Sequence, residues 1–140
     1  MELITYLTFD GTCKEALDFY VETFGAEITM SSPFSDLPPD PNMPPLSEDA
    51  ADRILHARMT IGGTQIYASD SFPGQPVQHG GFSLSAQFDD VSQAEKAFAA
   101  LSDGGTVTMA AGKTFWAEYF GVVTDKFGVS WMVNVDLPEG

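Results

Sequence analysis

The sequence predicts an α+β fold made of two copies of a β-α-β-β-β module, because the chain repeats itself. A shift of 65 residues lays the range 64–69 on the range 129–134. A supersecondary unit that occurs twice indicates two related sheets within one body. A shift of 79 residues brings these identical pairs into register: Phe9 with Phe88, Asp10 with Asp89, Phe19 with Phe98, Gly25 with Gly104, Thr29 with Thr108 and Met30 with Met109.

The first module, about residues 1–70, begins with a helix between two strands. Thr12 and Glu15 have the spacing of a capping box, so we expect the helix to begin there. Gly25 supplies the left-handed conformation that commonly ends a helix. Alternation and 3.6-residue spacing of apolar residues give the bounds of the three elements: the strand Leu3–Phe9, the helix to about Phe24 and the strand Ala26–Met30.

An insertion, residues 31–51, interrupts the first module. It contains six of the nine prolines, at positions 33, 38, 39, 41, 44 and 45. Proline lacks a backbone N–H and has a fixed φ, so we expect no regular element in this segment. The insertion is either a lid over a binding cleft or a solvated excursion of the chain.

A hairpin completes the first module. Its strands are Ile54–Ile61 and Thr64–Ser69, and Gly62-Gly63 forms the turn. Side chains alternate between the two faces of a strand, so His56 and Arg58 are expected on the face opposite the core.

The second module, about residues 81–136, follows the same order. Ser92 and Glu95 have capping-box spacing at the start of its helix. We predict that both modules form a single domain, residues 1–140. The remaining elements are the strand Phe82–Phe88, a helix ending at Gly104-Gly105, the strand Thr106–Ala111, and a final hairpin of Ala117–Thr124 and Val129–Val135 joined by Asp125–Gly128.

Composition excludes several classes of function. The chain carries 20 Asp and Glu against six Lys and Arg, a formal net charge of −14. Such a surface repels phosphate backbones and anionic lipids, so we predict neither a nucleic-acid partner nor a membrane role. The single cysteine, Cys13, excludes an internal disulfide and fits a cytoplasmic protein.

Several phrases of the sequence resemble the vicinal oxygen chelate superfamily, which includes glyoxalases, bleomycin-resistance proteins and extradiol dioxygenases. They are similar in particular to its PhnB-like branch. The resemblance implies paired β-α-β-β-β modules with a ligand cleft between them. The phrases are Phe9–Ala16 with Phe19-Tyr20 and Phe24–Ala26, Ile54–Ala57 with Ile61–Gly63, Ala68–Asp70, Gly104–Met109, Thr114–Ala117 and Asp125–Asn134.

The superfamily's enzymes hold a divalent metal with His, Gln or Glu at four strand positions. Carried onto this sequence, the first position falls at Thr5, or one residue either side at Ile4 or Tyr6. The other three positions fall at His56, at Phe82 or Ser83, and at Met132. Only His56 can ligate a metal. We therefore predict no metal and no cofactor, with a shifted site that recruits Asp70 or His79 as the alternative. The branch also carries a methyltransferase label, but no glycine-rich strand-to-helix turn supports it.

Candidate site residues follow from strand parity and from aromatic side chains near the cleft mouth. His56 is the candidate proton carrier and Arg58 the candidate clamp for a carboxylate or oxyanion. Each has a structural alternative: His56 belongs to a polar network, and Arg58 pairs with Asp70 or a helix carboxylate. The predicted ligand-binding residues are Tyr6, Tyr67, Ser69, Ser85, Trp116, Phe120, Met132 and Asn134.

The prediction from sequence is a cytoplasmic, PhnB-like protein that binds a small organic molecule in the cleft between its modules. Family analogy and the aromatic residues further predict a homodimer, with Trp116 and Phe120 at its interface or in the core as the alternatives to ligand binding. Two other functions remain open. One is a metal-dependent lyase, isomerase or dioxygenase. The other is a resistance protein whose acidic surface attracts and sequesters a cationic drug.

Overall fold

The computed structural model describes residues 1–43 and 45–138. The chain divides into two compact units, the first spanning Met1–Val77 and the second beginning at Gln78. Among the described residues, no helix is both long enough and apolar enough to cross a lipid bilayer.

The first unit is a four-stranded mixed sheet with a long helix. The strand order is β1-β4-β3-β2, with β1 parallel to β4 and the other pairs antiparallel. A short 3₁₀ helix, Phe34–Asp36, follows β2. The other elements are β1 (Thr5–Phe9), α1 (Cys13–Phe24), β2 (Glu27–Pro33), α2 (Glu48–Asp52), β3 (Ile54–Ile61) and β4 (Thr64–Asp70).

The second unit repeats this plan. Its strand order is β5-β8-β7-β6, and β5 is again parallel to its neighbour β8. The α+β fold of paired β-α-β-β-β modules is therefore confirmed. Its elements are β5 (Leu84–Phe88), α3 (Val91–Ser102), β6 (Thr106–Gly112), β7 (Ala117–Thr124) and β8 (Ser130–Asp136).

Each unit has its core between the helix and one face of its sheet. In the first unit, Ala57 and Met59 of β3 are buried, and the intervening Arg58 is exposed. In the second unit, the predicted apolar face of the last hairpin is confirmed. Its members are at most 3 % exposed: Val129, Trp131, Val133 and Val135.

Both helix starts differ from the prediction. The Thr12 side chain makes no capping bond, and the Asp70 carboxylate instead accepts the N–H of the first helical residue, Cys13. The second helix begins at Val91, and the Asp90 side chain caps it by accepting from the Ser92 N–H. In both cases a carboxylate replaces the predicted hydroxyl, since a negative charge also interacts favourably with the helix dipole.

The first strand of each unit is shorter than predicted. Leu3 is 89 % exposed and Phe82 is 56 % exposed, and both precede their strands. Pairing of β5 with β8 begins at Leu84 with Trp131, so Phe82 would need a partner before β8 starts. Alternation of apolar residues alone does not reveal where the neighbouring strand ends.

The insertion also contains regular structure, contrary to the prediction. At its start, β2 continues to Pro33, and Phe34 is 1 % exposed with its N–H bonded to the Arg53 carbonyl at 2.8 Å. At its end, the Ser47 hydroxyl accepts from the Ala50 N–H and caps α2. Most prolines lie between these elements, so both ends of the insertion keep their backbone donors. Pro44 lies outside the described residues.

Candidate functional site

Four predicted site residues meet on the face of the first sheet opposite α1, and we call them the His56 cluster: Tyr6, His56, Arg58 and Tyr67. Tyr67 of β4 pairs with Tyr6 of β1 on one side and with Arg58 of β3 on the other. His56 lies two residues before Arg58 and therefore on the same face. Three strands thus contribute to one cluster.

Two hydrogen bonds engage the ring nitrogens of His56. The Arg58 Nε–H donates to His56 Nε2 at 3.3 Å, and the Tyr6 hydroxyl lies 3.2 Å from His56 Nδ1. A guanidinium group always donates and never accepts, so Nε2 must carry a lone pair. His56 is therefore the neutral Nδ1–H tautomer, and it donates to the Tyr6 oxygen.

Aromatic rings also pack against the side chains of Arg58 and His56. The Arg58 guanidinium carbon lies 4.8 Å from the Tyr67 ring centroid, a cation–π distance. The His56 ring meets Tyr67 edge-on at 5.1 Å and stacks on Tyr6 at 5.8 Å. The guanidinium is thus oriented by a hydrogen bond and by a ring.

Arg58 has no acidic partner in the part of the chain that the structure describes, although the protein is strongly acidic. Among the described residues, Asp10 forms an ion pair with a different arginine, Arg53, at 2.9 Å. The expected pairing of Arg58 with Asp70 or with a helix carboxylate is wrong. Arg58 is exposed, so its charge faces solvent.

Asp70 instead has a structural role, which the sequence reasoning did not predict for it. It is 5 % exposed, its Oδ1 accepts from the Cys13 N–H at 3.0 Å, and its Oδ2 accepts from the Ile54 N–H at 2.8 Å. One carboxylate therefore ties the start of α1 to the start of β3, two residues before His56. Its position directly after Ser69 at a strand end was the available signal.

The thiol of Cys13 is affected by this arrangement. Burial of Cys13, together with the nearby negative charge of Asp70, raises the pKa of the thiol to about 12. The thiol is therefore fully protonated at neutral pH, and a protonated buried thiol is a poor nucleophile. This agrees with a packing role for Cys13.

In the second sheet, the positions that correspond to Tyr6, Tyr67 and Arg58 carry uncharged side chains. Ser85 pairs with Met132, and Met132 pairs with Val122, in the same three-strand arrangement as Tyr6, Tyr67 and Arg58. The duplication therefore preserved the framework while the side chains diverged. Of the predicted ligand-binding residues, Ser85 is exposed and Met132 half-buried.

Two further predicted site residues are largely buried. Ser69 is 9 % exposed, and Asn134, at the equivalent position of the second unit, is 8 % exposed. The Asn134 amide donates to Gln87 Oε1 and to Asp136 Oδ1, both at 2.9 Å. Its Oδ1 has no hydrogen-bond partner among the described residues.

Trp116 and Phe120 lie together in the second unit. Their ring centroids are 5.4 Å apart, and Phe115 lies 4.8 Å from Trp116 on its other side. Phe115 is 88 % exposed and Trp116 is 46 % exposed, so Trp116 is not a core residue. This exposed aromatic group is available to contact a ligand or another protein.

Side chains that could bind a metal ion are dispersed among the described residues. Across residues 1–43 and 45–138, no three His, Cys, Asp or Glu side chains are grouped closely enough to hold a metal ion. Both nitrogens of His56 are engaged, and both oxygens of Asp70 accept backbone N–H groups. His79 Nδ1 lies 3.3 Å from the Gly128 carbonyl.

Comparison with known proteins identifies the family. Residues 1–134 match the family described as 3-demethylubiquinone-9 3-methyltransferase. The chain belongs to this family. It is 37 % identical over 140 residues to protein YjdN of Escherichia coli, an alignment that covers 96 % of this chain and 95 % of YjdN.

Two solved structures resemble it along almost their whole length. Protein PA1353 of Pseudomonas aeruginosa is 39 % identical with a TM-score of 0.84, covering 97 % of this chain and 98 % of PA1353. The Bacillus cereus PhnB protein, a putative 3-demethylubiquinone-9 3-methyltransferase, is 26 % identical with a TM-score of 0.81, covering 96 % and 99 % respectively.

A more distant likeness extends the fold to the superfamily. A glyoxylase/bleomycin resistance protein/dioxygenase domain from Frankia has a TM-score of 0.70 at 11 % identity, over 100 % of this chain and 94 % of that one. The chain is therefore PhnB-like, and it shares the fold of that domain.

The name of the matched family refers to methyl transfer. Nucleotide-type cofactors commonly place anionic groups at a free helix N-terminus. In this PhnB-like chain, the carboxylates of Asp70 and Asp90 already accept N–H groups at the starts of α1 and α3. The two long helices therefore do not offer that kind of site.

Proposed function

We propose that this PhnB-like protein binds a small organic molecule at the His56 cluster. The observation that carries the proposal is the state of Arg58. It is an exposed guanidinium that His56 and Tyr67 hold in place, and no described carboxylate neutralises it. A charged group that is ordered without an internal partner is suited to an external one.

Each member of the cluster has a distinct role in this proposal. Arg58 binds the ligand, and the Tyr6 hydroxyl donates a hydrogen bond to the ligand. His56 keeps Arg58 and Tyr6 in position, because its Nε2 lone pair is engaged by Arg58 and its Nδ1–H by Tyr6. His56 thus acts through Arg58 and does not serve as a general base in the ligand-free protein.

The ligand-binding roles of the remaining residues stay part of the proposal. In the second unit these residues are Ser85, Met132, Phe120, Trp116 and the nearly buried Asn134, and in the first unit the nearly buried Ser69.

A thermal-shift screen of small organic molecules, with and without divalent ions, tests the proposal. A true ligand raises the Tm of the wild type, because it binds the folded state selectively. The Arg58→Gln variant is expected to lose that rise, whereas Lys113→Gln, an exposed residue with the same loss of charge, keeps it. An identical ligand-induced rise in wild type and Arg58→Gln would contradict the proposal.

We also propose that the protein is a homodimer. The support is the exposed group of Phe115 and Trp116, since monomers rarely expose large contiguous apolar surface. Analytical ultracentrifugation of the wild type and of a Phe115→Ser, Trp116→Ser double variant tests it. Dimeric wild type and monomeric variant are expected, and a monomeric wild type would refute the proposal.

A further inference from the structure

We infer, on the basis of the function proposed above, that the ligand is an organic anion whose charged group is a carboxylate or a similar oxyanion. The charged group of the His56 cluster, the Arg58 guanidinium, can only donate hydrogen bonds. The Tyr6 hydroxyl, which lies 3.2 Å from His56 Nδ1, can add a further donated bond. A cationic donor group without a carboxylate partner in the described part of the chain favours a ligand group that is anionic and accepts hydrogen bonds.

The geometry of Arg58 narrows the binding mode. Its Nε–H is engaged by His56, so the side-on edge of the guanidinium is partly occupied. The two Nη groups make no hydrogen bond within residues 1–43 and 45–138. They present two parallel N–H groups end-on, and a carboxylate accepts such a pair with both oxygens.

The neighbours of Arg58 indicate what is attached to the acid. Met30 of β2 pairs with Arg58 on one side and is 37 % exposed, and Tyr67 of β4 pairs with Arg58 on the other side. A thioether and an aromatic ring therefore flank the charge. They favour an apolar or planar body next to the acidic group, since Met adapts to irregular apolar shapes and aromatic faces stack on planar groups.

The second unit serves as an internal comparison. The position equivalent to Arg58 is Val122, and that equivalent to Tyr67 is Met132. Among the described residues, the duplicated framework thus carries an ordered guanidinium in one copy and an aliphatic side chain in the other. Oxyanion binding is accordingly assigned to the first unit.

Three fragments of nearly the same shape test the charge of the ligand: benzoate, benzamide and benzamidine. Each is titrated into ¹⁵N-labelled protein while backbone amide shifts and the His56 ring nitrogens are followed by NMR. Benzoate is expected to bind with a Kd on the order of 1 mM and to shift the amides near Arg58 and Tyr67. Benzamide and benzamidine are expected to bind at least about tenfold more weakly, because benzamide offers one uncharged oxygen acceptor and benzamidine, a cation, offers none.

Variants locate the effect. Arg58→Gln is expected to weaken benzoate binding by about tenfold or more, and Arg58→Lys by less, because an ammonium keeps the charge without the paired N–H groups. His56→Leu removes the acceptor for Arg58 Nε and is expected to weaken binding, with partial rescue in His56→Gln, whose side-chain oxygen can accept. Lys113→Gln is the charge-matched control and is expected to match the wild type.

The outcomes separate this inference from the proposed function. If benzamide binds as tightly as benzoate and Arg58→Gln weakens both, the cluster binds ligands but not specifically anions, and only the inference fails. Tighter binding of benzamidine overturns it in favour of a cationic ligand. If no benzoate binding is seen up to about 20 mM, the inference also fails. The proposed function fails together with the inference if, in addition, every ligand from the thermal screen raises the Tm of the wild type and of all Arg58 and His56 variants by the same amount.

Discussion

Arg58 donates its Nε–H to Nε2 of His56 across 3.3 Å, although the two residues are only two positions apart on β3. This contact determines the tautomer of His56 and the direction in which the guanidinium points. It therefore connects a candidate site residue to the geometry of the sheet that presents it.

The first prediction concerns this contact. His56→Ala is expected to leave the free energy of unfolding within about 1 kcal/mol of the wild type, since the side chain is only half-buried and its bonds are solvent-accessible. The same variant should lose most ligand-induced thermal stabilisation. Urea unfolding and thermal shift, measured on one preparation, separate the two effects. A variant that unfolds much more easily would show that the cluster is chiefly structural.

The second prediction concerns Asp70. Asp70→Asn is expected to destabilise the protein by about 2–4 kcal/mol, because an amide nitrogen would replace one of two carboxylate oxygens that accept buried backbone N–H groups. Urea unfolding measures the change. Asp18→Asn, on the exposed face of α1, is the control and should stay within about 0.5 kcal/mol of the wild type. Equal stability of the two variants would refute the structural role of Asp70.

The third prediction concerns the pH dependence contributed by Cys13. Burial raises the pKa of this thiol from 9.0 to about 12, so the unfolded chain loses the proton at lower pH than the folded chain. Stability from this group is complete below pH 9 and decreases as the pH rises from 9 toward 12. Cys13→Ala should lack this component. A wild type and variant with parallel stability curves above pH 9 would contradict the shift.

The fourth prediction uses two glycines. A Cβ added at Gly121 would lie 2.6 Å from the Phe98 ring and 2.8 Å from the Ala111 Cβ, whereas one added at Gly112 meets nothing within 4 Å. Gly121→Ala is therefore expected to destabilise the protein by about 1–3 kcal/mol, and Gly112→Ala to have little effect. Thermal unfolding compares the pair. Partial recovery in a Gly121→Ala, Phe98→Leu double variant would identify the ring as the source of strain.

The fifth prediction concerns the turn before β8. Asp125 is 3 % exposed, and its carboxylate accepts from the Val129 N–H at 3.1 Å and from Trp131 Nε1 at 2.9 Å. Asp125→Ala is expected to destabilise the second unit by about 3 kcal/mol, because it leaves buried donors without an acceptor. Fluorescence of Trp131 during urea unfolding reports this change. Asp136→Ala, an exposed carboxylate, is the comparison and should have a smaller effect.

Much of the fold was predictable because its signals are local. The hairpin around Gly62-Gly63 and the apolar alternation of β8 each lie within one stretch of sequence, and the repeat is visible when the two halves of the chain are aligned. The helix caps were not predictable. Asp70 lies 57 residues from the N–H group that it caps, and no pattern near Thr12 reveals it.

The candidate site was predictable as a set of faces but not as a set of contacts. Strand parity placed Tyr6, His56 and Arg58 on one side of the first sheet, as observed. It did not reveal that Arg58 lacks a described carboxylate partner, because ion pairing depends on side-chain reach across strands. Parity also did not reveal the burial of Asn134, since burial depends on what packs above a strand as well as on its direction.

The two bonds of the Asp70 carboxylate have a consequence for how the insertion can vary. Because the first residue of β3 is anchored by the last residue of β4, the position of His56 does not depend on the chain that leads into it. Lengthening, shortening or replacing residues 37–46 would leave the register of β3 intact. The length and sequence of this segment can therefore change while the His56 cluster keeps its place on the sheet.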